Sequence, residues 1–327
     1  TAHSLGVASG TDALELALRA LEIGPGQAVA TVANAGPYSG TAIRAVGATP
    51  VYVEVDPTTL AMSPHALRTA LAEHELAAVI VTHLYGRLAD MATLVATTDE
   101  AGIPLIEDAA QAHGAARDRR RAGSFGRLGC FSFYPTKNLG AIGDGGAITT
   151  DDDELARRVR ALRQYGWSSK YRSEVPGGRN SRLDELQAAV LADRLPHLDA
   201  WNDERRAIAD RYLETLDDLP LTLPPAPDDD DVKHLFVVRT PDRAALREHL
   251  TKAGIGTEVH FPVADHRQPA WATADAPHLP VTEEACDSVL SLPCYPGLSA
   301  EAQDAVIAAV VRAAFADATA PTADPTP

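Results

Sequence analysis

The sequence predicts an α/β fold, a mainly parallel central sheet flanked by helices, followed by a smaller C-terminal α+β domain. Three observations lead there. Short apolar, β-branched runs alternate with helical patterns through the first half, as in βαβ units whose sheet is covered on both faces. Polar residues, His83, Asp108 and Ser132, each close an apolar run, and in such sheets ligands sit beyond the carboxyl ends of the strands. A Pro- and Asp-rich stretch, Pro220–Asp231, then connects to a second alternation of strand and helix.

Taken in order, strands are expected at Ala28–Val32, Pro50–Val55, Ala78–His83, Ile103–Glu107, Cys130–Phe133 and Ala147–Thr150. Helices between them begin near Thr11, Pro37, Pro64, Asp90 and Asp152. From Ser181 to about Leu216 the pattern is a long helix, with a break expected at Pro196. The second unit contains a strand (His234–Arg239), a helix (Asp242–Ala253), a strand (Gly256–Phe261) and a final helix (Ala300–Phe315). The tail Ala316–Pro327 is an Ala/Thr/Pro/Asp low-complexity segment expected to be disordered. The expected division is therefore 1–218 for a large domain, 219–315 for a small one and 316–327 for the tail. No internal repeat is visible.

A chain of 327 residues is too long for one compact core, and its 45% apolar and 23% charged residues are those of an ordinary globular protein. No apolar run is long enough to span a bilayer, and no signal-peptide pattern opens the chain. The start at Thr1, a few residues before the first motif, suggests that an N-terminal segment precedes it. Cys130, Cys286 and Cys294 are odd in number and unpatterned, so neither a disulfide framework nor a metal site is expected, and a cytoplasmic setting fits. The net charge of −16 argues against nucleic acid or an acidic membrane as partner.

Of 29 basic residues only four are lysines: Lys137, Lys170, Lys233 and Lys252. Where arginine fills nearly every cationic role, a retained lysine suggests amine chemistry, since arginine forms no Schiff base.

Four features carry chemistry. Ser9-Gly10-Thr11-Asp12 is a small-residue turn opening a helix, either a phosphate cradle of backbone N–H groups or an ordinary N-cap. Glu107-Asp108-Ala-Ala-Gln111 puts an acid at the end of a buried strand, which is costly unless a cation faces it. A pyridoxal phosphate (PLP) pyridinium nitrogen is such a cation, with Gln111 placed to donate to the ring's phenolic oxygen; an N-cap by Asp108 is the plain alternative. Ser132 closes another buried strand, and Lys137 follows on a turn set by Pro135 and a run of glycines. A lysine among apolar and glycine residues has the depressed pKa that an imine-forming amine needs. A surface lysine in a hairpin is the alternative. Finally, Asn180-Ser181 looks like a helix start, with Asn180 free to bond something beyond it.

The order of these motifs, with Lys137 29 residues after Asp108, resembles the DegT/DnrJ/StrS family of PLP-dependent sugar aminotransferases, of the aspartate-aminotransferase fold type I. The resemblance spans residues 5–312. It rests on Ser9-Gly-Thr-Asp-Ala-Leu, Gly47-Ala-Thr-Pro, His83-Leu-Tyr-Gly, Glu107-Asp-Ala-Ala-Gln-Ala-His-Gly, Ser132-Phe-Tyr-Pro-Thr-Lys-Asn-Leu-Gly and Asn180-Ser-Arg-Leu-Asp-Glu-Leu-Gln. It implies Lys137 as the Schiff-base lysine, Asp108 as partner of the pyridine nitrogen and Gln111 beside the ring hydroxyl. Gly10, Thr11 and Ser132 match phosphate ligands. Asn180 matches a residue reaching the neighbouring subunit's cofactor, which implies a homodimer with composite sites.

Two departures matter. An ungapped match puts Gly36 where the family has an aromatic ring stacked on PLP; a shift of two residues makes it Tyr38, which we favour. The family's N-terminal helix and substrate-gating residues have no counterpart. Members that dehydrate carry histidine at the lysine position, so Lys137 favours transamination. The implied reaction moves an amino group, from L-glutamate as the family's usual donor, to a keto group of a nucleotide-linked deoxysugar. An aminocyclitol precursor, a PLP lyase and a non-catalytic sensor are the alternatives. Candidate substrate contacts are His83, His260 and His266, with Lys170, Tyr171, Arg172, Arg179 and Arg182 in a stretch read as largely loop.

Overall fold

A computed structural model describes residues 1–227, 230–274 and 276–316. In chain order the elements are β1 (His3–Val7), α1 (Gly10–Ala20), β2 (Ala28–Thr31), α2 (Tyr38–Ala45), β3 (Thr49–Tyr52), α3 (Pro64–Glu73), β4 (Leu76–Thr82), α4 (Met91–Ala101) and β5 (Leu105–Asp108). Then come β6 (Ala116–Arg117), β7 (Arg120–Arg121), β8 (Leu128–Ser132), β9 (Gly146–Thr150), α5 (Asp153–Leu162), β10 (Trp167–Ser169), β11 (Arg172–Ser173), α6 (Glu185–Arg194) and α7 (Leu198–Leu216). The chain closes with β12 (Phe236–Arg239), α8 (Arg243–Lys252), α9 (Pro280–Ser288), β13 (Val289–Leu292) and α10 (Ala300–Ala316).

Seven strands form one sheet in the order β1-β9-β8-β5-β4-β2-β3. The five from β8 to β3 are mutually parallel, while β9 and β1 close one edge antiparallel. Alternation within β4 shows the two faces: Ala78 and Ile80 point into a core with α1, α2 and α5, while Val79 and Val81 point into one with α3 and α4. Every residue from Ala13 to Leu18 of α1 is buried, so that helix is wrapped on all sides. The α/β fold with a mainly parallel sheet is as the sequence predicts, and every strand expected in the first half is present.

A further core joins Ile208, Tyr212 and Leu216 of α7 to Phe236 and Val238 of β12, Leu250 of α8, Leu290 and Leu292 of β13, and Val306 and Val310 of α10. The C-terminal half of α7 thus packs with the second unit. Pro196 does break the helix, within a short 3-10 turn at Leu195–His197. The end of the Pro/Asp-rich connection is tied down: buried Asp231 meets Arg87 at 3.1 Å and Lys233 at 2.7 Å.

Three expectations fail. Gly256–Phe261 is not a strand; only Glu258 bridges Ser291, and β12 pairs instead with β13, which the sequence reading did not foresee. Pro262 has no N–H to continue a ladder, and the segment turns inward where Tyr85 donates its hydroxyl to the His260 carbonyl. Asn180 and Ser181 do not start a helix: α6 begins at Glu185, and Ser181 is buried, accepting from the Ala8 N–H at 3.2 Å. The stretch read as loop after Tyr165 carries the β10–β11 hairpin. Of the expected tail, Ala316 ends α10 and residues 317–327 lie outside the described residues. Among the described residues no helix is long and apolar enough to cross a membrane.

Candidate active site

The parallel strands β4, β5 and β8 end side by side, so their last residues face a common space. Asp108 closes β5 and is buried. Its Oδ1 accepts from the Ala110 N–H at 3.2 Å, and Thr82 at the end of β4 donates to Oδ2 at 3.5 Å. Burial raises its pKa, against the pull of the Ala110 N–H and the Lys137 charge. The preceding residue does different work. Glu107 accepts from His83 Nε2 at 2.9 Å and from the N–H groups of Gly123, Phe125 and Gly126 at 2.6–2.8 Å. Burial alone would raise its pKa, but the His83 bond and these N–H groups outweigh it and hold it low.

Lys137 sits on a turn closed by its own N–H to the Tyr134 carbonyl at 2.9 Å. Gly140 is required there, because a Cβ would lie 2.5 Å from the Pro135 carbonyl oxygen. From α6, Arg194 Nη1 donates to the Gly140 carbonyl at 2.5 Å and Gln187 accepts from the Ile142 N–H at 3.0 Å. The residue after the lysine is anchored from below: Asn138 pairs with His234 Nδ1 at 2.9 Å and donates to Asn202 Oδ1 at 2.8 Å. The Lys137 backbone is therefore fixed while its side chain is left unengaged. Burial pushes the amine's pKa down, and the Asp108 charge only partly restores it. The histidines around it respond in kind. Burial, then the Lys137 charge, takes His113 to about 3 and His234 well below its usual range; burial also lowers His260.

At the other end of the space, Gly10 opens α1 directly against Ser132, and a Cβ on Gly10 would stand 2.6 Å from the Ser132 Cβ. Only glycine lets the helix N-terminus and the serine meet. Ser9 caps the helix through the Asp12 N–H at 3.1 Å, so the ordinary N-cap weighed for this turn exists. It uses Asp12 and leaves the N–H groups of Gly10 and Thr11 without a partner among the described residues.

The wall of the space is aromatic. Tyr38 at the start of α2 is half exposed, packs edge-on against Phe261 with ring centroids 5.9 Å apart, and feels the Asp108 charge. A Cβ at Gly36 would come within 2.9 Å of the Tyr38 ring, so Gly36 makes room for Tyr38 rather than supplying a ring itself. Gln111 is buried, its Oε1 accepting from the Tyr85 N–H at 2.7 Å, which turns its NH2 away from that contact. His260 hydrogen-bonds Ser291 through Nδ1 at 2.9 Å.

Lys137, Asp108, Tyr38 and His260 thus feel one another's charge, and Gly10 meets Ser132 at the end of the neighbouring strand. Other expected contacts do not join them. His83 is a correction: it is fully buried, with Nε2 on Glu107 and Nδ1 accepting from the Ala89 N–H at 3.3 Å, so neither nitrogen is free for a substrate. His266 is another, buried with Nε2 on Glu283 at 2.9 Å, beside Tyr52 rather than Lys137. Lys170 lies over the exposed Tyr171 ring on the hairpin, beside a 620 Å³ cleft lined by Arg157, Arg160 and Trp167. Asn180 is exposed, its Oδ1 accepting from Arg182 Nε at 3.0 Å. Arg172 pairs with Glu174, and Arg179 with Asp12 and Glu15. Sequence reading missed Phe261, Thr82 and Asn138. Asn138 follows the lysine in the quoted motif, so a signal for it was in view; Phe261 gave none, because its segment was read as a strand.

The residues fit PLP. They offer a close helix-terminus and serine seat for a phosphate, a buried carboxylate for a ring nitrogen, and an unengaged amine between them. Compared with known proteins, residues 1–311 match the profile of the DegT/DnrJ/EryC1/StrS aminotransferase family. A dTDP-3-amino-3,4,6-trideoxy-alpha-D-glucose transaminase of Streptomyces venezuelae is 49% identical over 91% of this chain and 79% of its own length. A UDP-N-acetyl-3-dehydro-alpha-D-glucosamine 3-aminotransferase of Acidithiobacillus ferrooxidans is 46% identical over 95% of this chain and 84% of its own. The X-ray structure of S. venezuelae DesV in complex with a ketimine intermediate superposes with a TM-score of 0.91, at 47% identity over 96% of this chain and 85% of that one.

Proposed function

We propose that this chain, which belongs to the DegT/DnrJ/EryC1/StrS aminotransferase family, carries an amino group from L-glutamate to a keto carbon of a nucleotide-linked deoxysugar, with Lys137 as its catalytic amine. Its enzymatic class is PLP-dependent transamination. The observation that carries the residue assignment is the unengaged Lys137 amine beside buried Asp108, at one end of a space whose other end is Gly10 against Ser132.

When bound, PLP supplies an electron sink for the substrate carbon that bears the amine. In this reading Gly10, Thr11 and Ser132 hold its phosphate, Asp108 keeps its ring nitrogen protonated, and Gln111 donates to its ring hydroxyl. Tyr38 covers one ring face. Burial lowers the pKa of Lys137 and so favours its free amine, first to hold the cofactor and then to move a proton at the reacting carbon as general base and acid. The fixed backbone at Asn138 aims that amine.

We further propose a homodimer. Asn180 is exposed, and Arg182 occupies its Oδ1, which leaves its NH2 as the donor we assign to the partner's phosphate. The Lys170–Tyr171 hairpin and Arg182 then face the partner's nucleotide rather than their own Lys137. A cytoplasmic setting accords with three free, buried cysteines.

Protein loaded with PLP should absorb visible light, lose that band on addition of L-glutamate, and release 2-oxoglutarate in equal amount. A screen of keto-sugar nucleotides and keto-cyclitols would then name the acceptor by the band's return. A protein that holds PLP but yields no 2-oxoglutarate would end the transamination reading. Light scattering giving a monomer would end the composite-site reading.

A further inference from the structure

We propose that Arg179 is a positioning residue for the cofactor's phosphate: it neutralises two carboxylates on α1 that would otherwise repel a dianion at that helix's N-terminus. The inference rests on the reading of Gly10, Thr11 and Ser132 as the phosphate seat.

Asp12 directly follows Thr11, and Glu15 lies one turn on and is buried. Arg179 spans both, with Nη2 on Asp12 Oδ1 and Nη1 on Glu15 Oε2 at 2.7 Å. Arg19 Nε takes the other Glu15 oxygen at 2.9 Å and its Nη2 donates to the Ala45 carbonyl at 3.1 Å. Two carboxylates thus meet two guanidiniums, and the turn beneath the seat carries no net charge. Without Arg179 it would carry one negative charge beside the anion. An acid in the first turn favours an empty helix N-terminus, but it competes with a phosphate for the same positive end.

Arg179 reaches α1 from 167 residues away, measured to Asp12. It is delivered by an extended segment pinned to the end of α5: its N–H donates to the Leu162 carbonyl at 2.9 Å, and its carbonyl accepts from Tyr165 at 3.0 Å. These backbone bonds do not involve the guanidinium. Removing the charge therefore leaves Asn180, the next residue, in place and alters mainly the field at α1.

The test is titration of the PLP-free protein with PLP and, in parallel, with pyridoxal, which lacks the phosphate, following the visible absorbance of the lysine-bound ligand. Because Arg179 is partly exposed and screened, Arg179→Gln should weaken PLP roughly tenfold, less at high salt, and leave pyridoxal unchanged. Asp12→Asn added to Arg179→Gln should recover most of the loss. Asp12→Asn alone should bind PLP at least as tightly as the parent, which serves as the test should Arg179→Gln fold poorly. Equal weakening of PLP and pyridoxal, no recovery in the double variant, or tenfold weaker PLP in Asp12→Asn alone would each overturn the inference. Ser132→Ala separates it from the reading beneath. If Ser132→Ala discriminates PLP from pyridoxal and Arg179→Gln does not, only the inference falls; if neither does, the phosphate seat itself is wrong.

Discussion

Two lysines of this chain are drawn away from solvent, each near an aspartate, and they end differently. Lys233 is buried with Nζ 2.7 Å from Asp231 Oδ2 and 2.9 Å from the Pro225 carbonyl; Arg87 completes the cluster. The Lys137 amine has no hydrogen-bond partner among the described residues, and Asp108 reaches it only through its field. A buried charge that is fully paired holds elements together. A half-buried amine left unpaired, with an acid that burial pushes toward neutrality, is a pair that stays poor until a ligand supplies the missing charge. Scarcity of lysine drew notice to four residues, and only their surroundings tell the chemical one, Lys137, from the structural one, Lys233.

The comparison can be broken most sharply at Lys137. Lys137→Ala should lose the visible band and about 10³-fold or more in transamination rate while keeping its melting temperature within a few degrees. Lys137→Arg should fail as fully, because charge without a nucleophilic amine is not enough. Asp108→Asn should still form the band yet lose on the order of 10²-fold in kcat, read by single turnover with glutamate. At Lys233 the effects should invert. Lys233→Ala leaves buried Asp231 with Arg87 as its one remaining cation among the described residues and should cost about 3 kcal/mol in chemical denaturation, with kcat of the folded fraction little changed. Should Lys233→Ala instead abolish the band, the contrast between the two lysines would be false.

The smallest effect concerns His113, buried near Lys137 and packed against Phe131 and Phe133. Its folded pKa of about 3 lies below the ordinary 6.5, so the unfolded chain binds the extra proton first. Its contribution to stability is complete above about 6.5 and is lost as pH falls from there toward 3. His113→Phe should flatten the fall of melting temperature between pH 6.5 and 4. An unchanged slope would assign acid sensitivity to other groups.

Much of the fold was legible because the parallel strands are buried on both faces and read as continuous apolar runs, as in Ala78–Val81. β1 was missed: His3–Val7 is short, and its one pairing is to β9, about 140 residues away. Gly256–Phe261 was misread because an alternating segment with β-branched Thr257 and Val259 resembles a strand whether or not a neighbour exists to pair with it. At the site, local motifs gave the polar residues, since Asp108 and Ser132 lie at strand ends, Gly10 and Thr11 at a helix start, and Lys137 and Gln111 in the short segments that follow those strands. The histidines divided on a fact no motif contains. His83 and His266 each have a glutamate within 3 Å that uses the ring, whereas His260 has a serine and faces Lys137.

By itself the sequence determined the order and spacing of the strand-end groups, because a strand's last residue is placed by its own apolar run. That placed Asp108 and Ser132 at strand ends, and the turn that follows Ser132 carries Lys137. Pairing was decided by the tertiary structure alone: Lys233 is satisfied and Lys137 is not, Tyr38 rather than Gly36 has a ring at the pocket wall, and Arg179 is spent on Asp12 and Glu15. Charges and rings interact over a few ångströms regardless of separation along the chain, so only the folded arrangement fixes which of them meet.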